Sequence, residues 1–371
     1  MIAHIAWRNL SREKTRLAVS VGGVAFAVLL ILLLRGLYRG ITDQATEYIR
    51  SVDAEIWVAQ AGTPGDLFHS GSLLPRSLES QLEGVAGVER ATPFVMRAVV
   101  LSIDGRTRDF RLVGVDPARP KTGPPAIVRG RGLEGAREIV VDRVFAQNAG
   151  VDPGDALVIG GTRLTVVGIG RGGNTIVSQY AWAPLADVVR VLGLNRIANY
   201  FLVDVGRGQD AEQVVAAIRR DVPAAKPMLE AEFVDKNTAD LREGFLPIVL
   251  VLVLVGFGIG TVVIGLTIYT ATIEKRREYG VLKAIGFSNR SLYGVVFAQS
   301  LAAAALGFAV GLGLTFAVAA GVERIVPSFA TTMTAEDVAL VAGAAVLMSA
   351  LACFIPVRPI ARLHPAEVFR V

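Results

Sequence analysis

The stretch YTATIEKRREYGVLKAIGFSNRSLYGVVFAQSL (269–301) decides the architecture. An uncharged run of about 30 residues, 245–273, stops abruptly at Glu274, Lys275, Arg276, Arg277 and Glu278, and a second uncharged run begins at 292. Between them, Tyr279, Val281, Leu282 and Ile285 give one apolar side to a short helix. Gly286 ends that helix, and Ser288 caps the next. The segment therefore reads as a short amphipathic helix on a membrane surface, held between two spans.

Outward from this segment, the chain carries two more uncharged runs, at 17–34 and 338–357. Each of the four runs meets or approaches the ~20 apolar residues that a bilayer core requires of a helix, and a lone strand would leave its backbone groups unpaired in lipid. The apolar core Leu17–Leu34 exceeds the ~7–15 residues of a signal sequence, so it is expected to be a retained span. The apolar content of 52 % is concentrated in these runs, while 41–243 is an ordinary mixed sequence. The expected fold is a membrane protein of four transmembrane α-helices, with a large α+β extracytoplasmic domain inserted between helices 1 and 2. The expected boundaries are a leader at 1–16, spans at 17–40, 244–273, 291–320 and 337–357, the inserted domain at 41–243, the short surface helix at 274–290, an external loop at 321–336 and a tail at 358–371.

Charge sets the sidedness. The leader (Arg8, Arg12, Lys14, Arg16), the 274–290 loop and the tail (Arg358, Arg362, Arg370) are basic, whereas the short loop between the last two spans balances Arg324 with Glu323, Glu336 and Asp337. Basic short segments face the cytoplasm, which places both termini inside and the inserted domain outside. The net charge of +5 is spent at the ends of the spans, which argues against a nucleic-acid partner.

In the inserted domain, Ile41, Ala45, Tyr48, Ile49 and Val52 continue the first helix as a stalk. Strands are expected at 54–60 and as a hairpin over 97–116, turning at Asp104-Gly105. The stretch 137–170 reads as a strand, a short helix and two further strands joined at Gly160-Gly161. Helices are expected at 74–83, 184–192 and 209–220. Gly244 and Pro247 are expected to loosen a second stalk at 233–247.

Catalytic chemistry is not legible. His4, His69 and His364 are scattered, and Cys353 is the single cysteine, inside an apolar run. Ser70 and Ser72 near His69 read as a polar surface loop without a nucleophile elbow. GIGRGGN (168–174) lacks the lysine and hydroxyl of a P-loop. The chain is expected to be a non-enzyme without cofactor or metal of its own. The spans carry small-residue ladders, Gly256 with Gly260 and Ala303 with Gly307 and Gly311, which suit packing within the four helices and a dimer seam equally. Almost no ionisable residue lies inside the spans, which speaks against an ion-coupled transporter.

The segment at Glu274, Lys275, Arg276, Arg277, Glu278, Gly280, Leu282, Lys283, Ala284 and Gly286 resembles the E-[KR]-R-x-E-x-G-h-L-K-A-h-G motif of FtsX-like permeases. These are the membrane subunits of the MacB-type, or type VII, ABC transporter superfamily. AWRNLSREKTR (6–16) is similar to the family's leader, and PVRPIARLHPAEVFR (356–370) to its tail, though Pro359 replaces a small residue there. Pro153–Ile169 resembles part of its periplasmic core. The resemblance implies a dimer of permease chains in a bacterial inner membrane, in contact with membrane lipid and bound to a cytoplasmic P-loop ATPase subunit that holds ATP and Mg. The 274–286 helix would be the coupling helix, and Gly280 and Ala284 would leave a small-residue strip for the ATPase surface. ATPase closure would move the outer domain to export a hydrophobic, lipid-linked or peptide-like substrate. An alternative is a non-transporting relay that activates an outer protein partner such as a cell-wall hydrolase; a stand-alone receptor or adaptor is a third reading.

Overall fold

A computed structural model describes residues 14–67, 71–103, 105–117, 119–173, 179–326, 328–329 and 331–354, with the side chains of 240 and 282 left undescribed. The histidines at 4, 69 and 364, Ser70, most of the leader and the tail lie outside the described residues. The chain divides into two compact units, one formed by 41–243 with 327–330 and the other by the remainder.

In the helical unit, four helices are long and apolar enough to cross a membrane. They are α1 (Lys14–Ser51), α7 (Leu246–Glu274), α9 (Asn289–Ile325) and α10 (Ala335–Ala352), with the short α8 (Arg276–Ala284) between α7 and α9. Val24, Ala27, Val28, Ile31 and Leu32 of α1 meet Ile264 and Ile268 of α7, Leu292 and Val296 of α9, and Val341 and Met348 of α10 in one buried cluster. With no hydrophobic force between helices in lipid, close packing and polar bonds must hold them. Ser300 supplies one such bond, donating to the Ser349 carbonyl at 2.9 Å. Cys353 is buried at the end of α10 and belongs to the same cluster, as expected of a small hydrophobe.

Among its described residues the inserted unit holds two larger sheets and a two-stranded one. One is four-stranded and antiparallel, in the order β13 (Ala225–Leu229), β1 (Ile56–Gln60), β12 (Tyr200–Val205), β3 (Val88–Phe94). The other is seven-stranded and mixed: β4 (Met96–Ile103), β5 (Arg106–Val115), β10 (Gln179–Pro184), β7 (Glu138–Asp142), β9 (Thr162–Arg171), β6 (Ala126–Gly130), with β8 (Ala156–Ile159) paired to β9. The helices are α2 (Leu78–Glu83), α3 (Arg143–Ala149), α4 (Leu185–Leu192), α5 (Ala211–Asp221) and α6 (Glu230–Asp240). Leu74–Pro75, expected as the start of a helix, is instead the strand β2, paired with β11 (Ile197–Ala198); the helix starts only at Leu78. Pro75 at the end of an apolar pair suits a strand edge.

Both chain ends of this unit are rooted in one aromatic core. Tyr48 of α1 meets Tyr180 edge-on at 5.1 Å and donates its hydroxyl to the Thr122 carbonyl at 2.6 Å. Phe233 of α6 stacks on Trp57 at 4.3 Å. Such ring pairs contribute about 0.5–1.5 kcal/mol each beyond burial. Arg119, buried, fixes the exit of α1 by donating to the Asp53 carbonyl at 3.1 Å, where Asp53 turns into the left-handed region at φ 54°. Between α6 and α7 the helix widens into a π-turn at Leu241–Phe245, just where Gly244 and Pro247 weaken the backbone ladder.

Ser72 is fully buried, which corrects its reading as part of a surface loop: its hydroxyl accepts from the Gln60 amide at 2.9 Å and donates to the Asn199 carbonyl. The glycines of 168–173 belong to β9 and its end; at Gly173 a side chain would strike Trp182 within 2.3 Å.

Asp142 caps α3, accepting from the Val144 amide at 2.8 Å, and is 1 % exposed. Burial pushes its carboxyl up to about 6, against backbone N–H groups that pull it down. Between the unfolded value of about 3.9 and the folded value, the folded chain holds a proton that the unfolded chain lacks, so stability falls as pH rises through that window. An Asp142→Asn chain keeps a capping oxygen without the buried charge. It is expected to be about 1–2 kcal/mol more stable than the wild type at pH 7.5 and equal to it at pH 4. Thermal melting at the two pH values checks this, and equal melting at pH 7.5 would contradict it.

Candidate functional site

α8 leaves α7 through Lys275 and ends at Gly286, whose φ of 98° is a conformation that a side chain would strain. Ser288 then caps α9, accepting from the Ser291 amide. The short helix is fixed by two anchors. Tyr279 is 4 % exposed and packs in the helical cluster with Ile268 and Leu292. Glu274, at the end of α7, is ion-paired with Arg16 of α1.

The exposed face of α8 differs from the expected one. Val281 and Ile285 stand out at 43 % and 69 % exposure, on the opposite side from Tyr279, so the apolar residues do not share one face. Gly280 is buried while Ala284 is exposed; the two do not form one exposed strip. The reason is registry: Tyr279, the bulkiest residue of the helix, takes the bundle-facing position and brings its neighbour Gly280 inward. What α8 offers outward is Val281, Ala284 and Ile285, with Arg277 and Glu278 exposed beside them. Positions 277, 281, 284 and 285 fall on one helical face. Lys283 is half-buried, and Arg276 and Arg277 are exposed. Glu274 faces Arg16 rather than standing free, a pairing that spacing in the sequence could not reveal.

The small-residue ladders are occupied within the chain. A side chain at Gly256 would lie 3.0 Å from Leu30, and at Gly260 3.0 Å from Ala27 and Met348. At Gly307 it would come within 2.5 Å of Val24, and at Gly311 within 2.7 Å of the Ala25 carbonyl. Ala303 is 1 % exposed. These residues let α7 and α9 close on α1.

One polar site was missed in the sequence. Arg35 of α1 donates from Nε to Asp337 Oδ1 at 2.9 Å, and Arg39 donates to Thr334 Oγ1 at 2.9 Å and lies 3.6 Å from Asp337 Oδ2. The Asp337 side chain is 2 % exposed; Thr334 and Asp337 form a capping box that starts α10. The Gly36 carbonyl accepts from the Thr332 amide at 3.1 Å beside them. The signal was present as Arg35 and Arg39 one turn apart beside an apolar run, with Glu336-Asp337 opening another. Arg16 and Arg35 are nineteen residues apart on α1, about 28 Å along a helix, so the two ion pairs bracket roughly one hydrocarbon thickness.

Among the described residues, no group of three or more histidine, cysteine, aspartate or glutamate side chains could hold a metal.

The profile described as MacB-like periplasmic core domain matches residues 17–221, and that described as FtsX-like permease C-terminal matches 247–365. The chain belongs to the ABC transporter permeases of the MacB and FtsX type. Similar proteins include an uncharacterized ABC transporter permease of Mycobacterium tuberculosis (strain ATCC 25618 / H37Rv), 24 % identical over 98 % of each chain. A macrolide export ATP-binding/permease protein MacB of Chromobacterium violaceum is 23 % identical over 98 % of this permease and 59 % of its own length. Among solved structures, the periplasmic region of MacB from Actinobacillus actinomycetemcomitans covers 49 % of the permease at 14 % identity, with a TM-score of 0.39. The α8 segment lies inside the FtsX-like match, and the aromatic core inside the MacB-like one, apart from Phe233.

Proposed function

We propose that this permease couples ATP hydrolysis by a separate P-loop ATPase subunit, which binds ATP and Mg, to movement of its inserted domain. The movement serves export of a hydrophobic, lipid-linked or peptide-like substrate. One observation carries the reading: α8 is anchored by Tyr279 and by the Arg16–Glu274 pair at its root, yet turns Val281 and Ile285 outward. Exposed apolar side chains rimmed by Arg277 and Glu278 suit a protein groove better than headgroups, where a carboxylate is poorly placed. The basic short segments put α8 and both termini on the cytoplasmic side and the inserted domain outside the inner membrane.

Transmission would use α1, continuous from Lys14 to Ser51, and the α6–α7 path with its π-turn. Tyr48 and Phe233 tie both paths to the same aromatic core, so tilting of either helix moves the domain as a body. The MacB relative, named for macrolide export, supports the export reading. A second permease chain completes the assembly in this account. The relay reading, with an outer protein partner, has one feature in its favour: the edge strand β6 exposes Ile127 and Val128.

Mild-detergent purification from native membranes tests the proposal. A P-loop ATPase is expected to accompany the permease in stoichiometric amount, with hydrolysis lost when Glu278 and Lys283 are reversed in charge. A permease that purifies with no ATPase contradicts it.

A further inference from the structure

β4 forms one edge of the seven-stranded sheet and pairs with β5 over its whole length, Met96 to Ile103, without a register shift. Two bonds at its start show which of its backbone groups are free. The Val95 carbonyl accepts from the Gly114 amide at 2.9 Å, whereas the Met96 amide turns the other way and donates to Asn199 Oδ1 at 2.9 Å. Backbone groups alternate in direction along a strand. Arg97, Val99, Leu101 and Ile103 therefore bond to β5, and Ala98, Val100 and Ser102 direct theirs outward. Among the described residues nothing bonds to those outward groups, and all three residues are exposed, Val100 at 68 %. Val99, Leu101 and Ile103 pack on the core from the other face and hold the strand in place.

An open edge pairs with other chains, so proteins blunt their edges with charge, proline, bulges or short strands. The other edges of the two larger sheets are blunted in these ways. β6 carries Arg129 and a register shift, β13 carries Lys226 and Pro227, β3 carries Pro93, and β8 is only Ala156–Ile159. From Ala98 to Ile103, β4 has no charge, no proline and no bulge.

We infer that β4 is the surface through which the inserted domains of two copies of this permease pair. A two-fold axis through Val100 sets Val100 opposite Val100, and Ala98 opposite Ser102 of the second copy. Each of these is a pair of outward-directed residues, as an antiparallel ladder requires, and together they exchange about six hydrogen bonds. In the same register Val99 meets Leu101 and Arg97 meets Ile103, so no like charges oppose one another. The pairing rests on the reading that a second, identical permease chain completes the assembly. A strand of an unrelated outer protein would use the same groups without an axis at Val100.

Cysteine cross-linking in native membranes tests it, with the single native cysteine, Cys353, replaced by alanine. Opposed residues in a bonded pair have Cα atoms about 5.5 Å apart, within the ~4.4–6.8 Å that a disulfide spans. Val100→Cys, on the axis and exposed, is expected to oxidise to a covalent dimer of the permease. Ser102→Cys, which would lie about 13 Å from its own counterpart along the ladder, is expected not to link. Val128→Cys on β6, 54 % exposed, is expected not to link either. If Val100→Cys fails to link while the permease still runs as a dimer in mild detergent, the edge pairing is overturned and the second chain stands. A permease that runs as a monomer removes both. Equal linking at all three positions, or a Val100→Cys product that contains another protein, also overturns the pairing.

Discussion

Replacing Asp337 with alanine should lower the stability of the permease by about 3 kcal/mol, the low end of what removing one partner of a buried ion pair costs. The low end applies because Arg35 and Arg39 are each about a third exposed and can rehydrate in part, whereas the Asp337 carboxylate is buried. The loss has two parts. Arg35 forfeits its bond to Oδ1, and α10 forfeits the capping box with Thr334, which alone contributes about 1 kcal/mol. Asp337→Asn retains a capping oxygen and should lose about half as much. At about 2–4 °C per kcal/mol for a chain segment of this size, the alanine variant should melt about 6–12 °C below the wild type in detergent. A difference under about 2 °C would show that the Arg35–Asp337 join contributes nothing measurable, as many exposed ion pairs do. The join has a consequence for mechanism as well. It fixes α1 to the start of α10 about 28 Å along α1 from the Arg16–Glu274 pair, so a tilt of that part of α1 is expected to take α10 with it.

Much of this was legible because the bilayer leaves few options. Four uncharged runs had to be helices, and the helical spacing of Ala45, Tyr48, Ile49 and Val52 carried α1 on to Ser51. The hairpin of β4 and β5 and the Gly160-Gly161 turn between β8 and β9 were marked by turn chemistry. Other strands gave no such mark. The β10 segment QYAWAP and the β13 segment AKPML carry proline or alanine, and only tertiary context makes them strands; Pro227 is tolerated because β13 lies at a sheet edge. At the site, composition identified the α8 motif but not its orientation. Residue type grouped Tyr279, Val281 and Ile285 as one apolar side, whereas the helical period sets Val281 and Ile285 about opposite Tyr279, whose burial beside Leu292 fixes which face turns inward. The Arg16–Glu274 and Arg35–Asp337 pairs join residues 258 and 302 positions apart, a separation at which no local pattern operates.

The second large effect concerns the outward face of α8. Val281→Asp with Ile285→Asp should leave the fold intact, since both side chains are exposed and neither belongs to the buried cluster. If these two residues sit in an ATPase groove, the variant forfeits the burial of two aliphatic side chains, about 3 kcal/mol or more together, and sets carboxylates against apolar surface. Binding should weaken at least about a hundredfold. The decisive measurement is therefore a parallel purification of wild type and this double variant from native membranes, with the accompanying ATPase quantified and melting recorded. The account predicts a stoichiometric ATPase with the wild type, its loss from the variant, and unchanged melting. An ATPase retained in full by the double variant would contradict the assignment of α8 as the coupling helix.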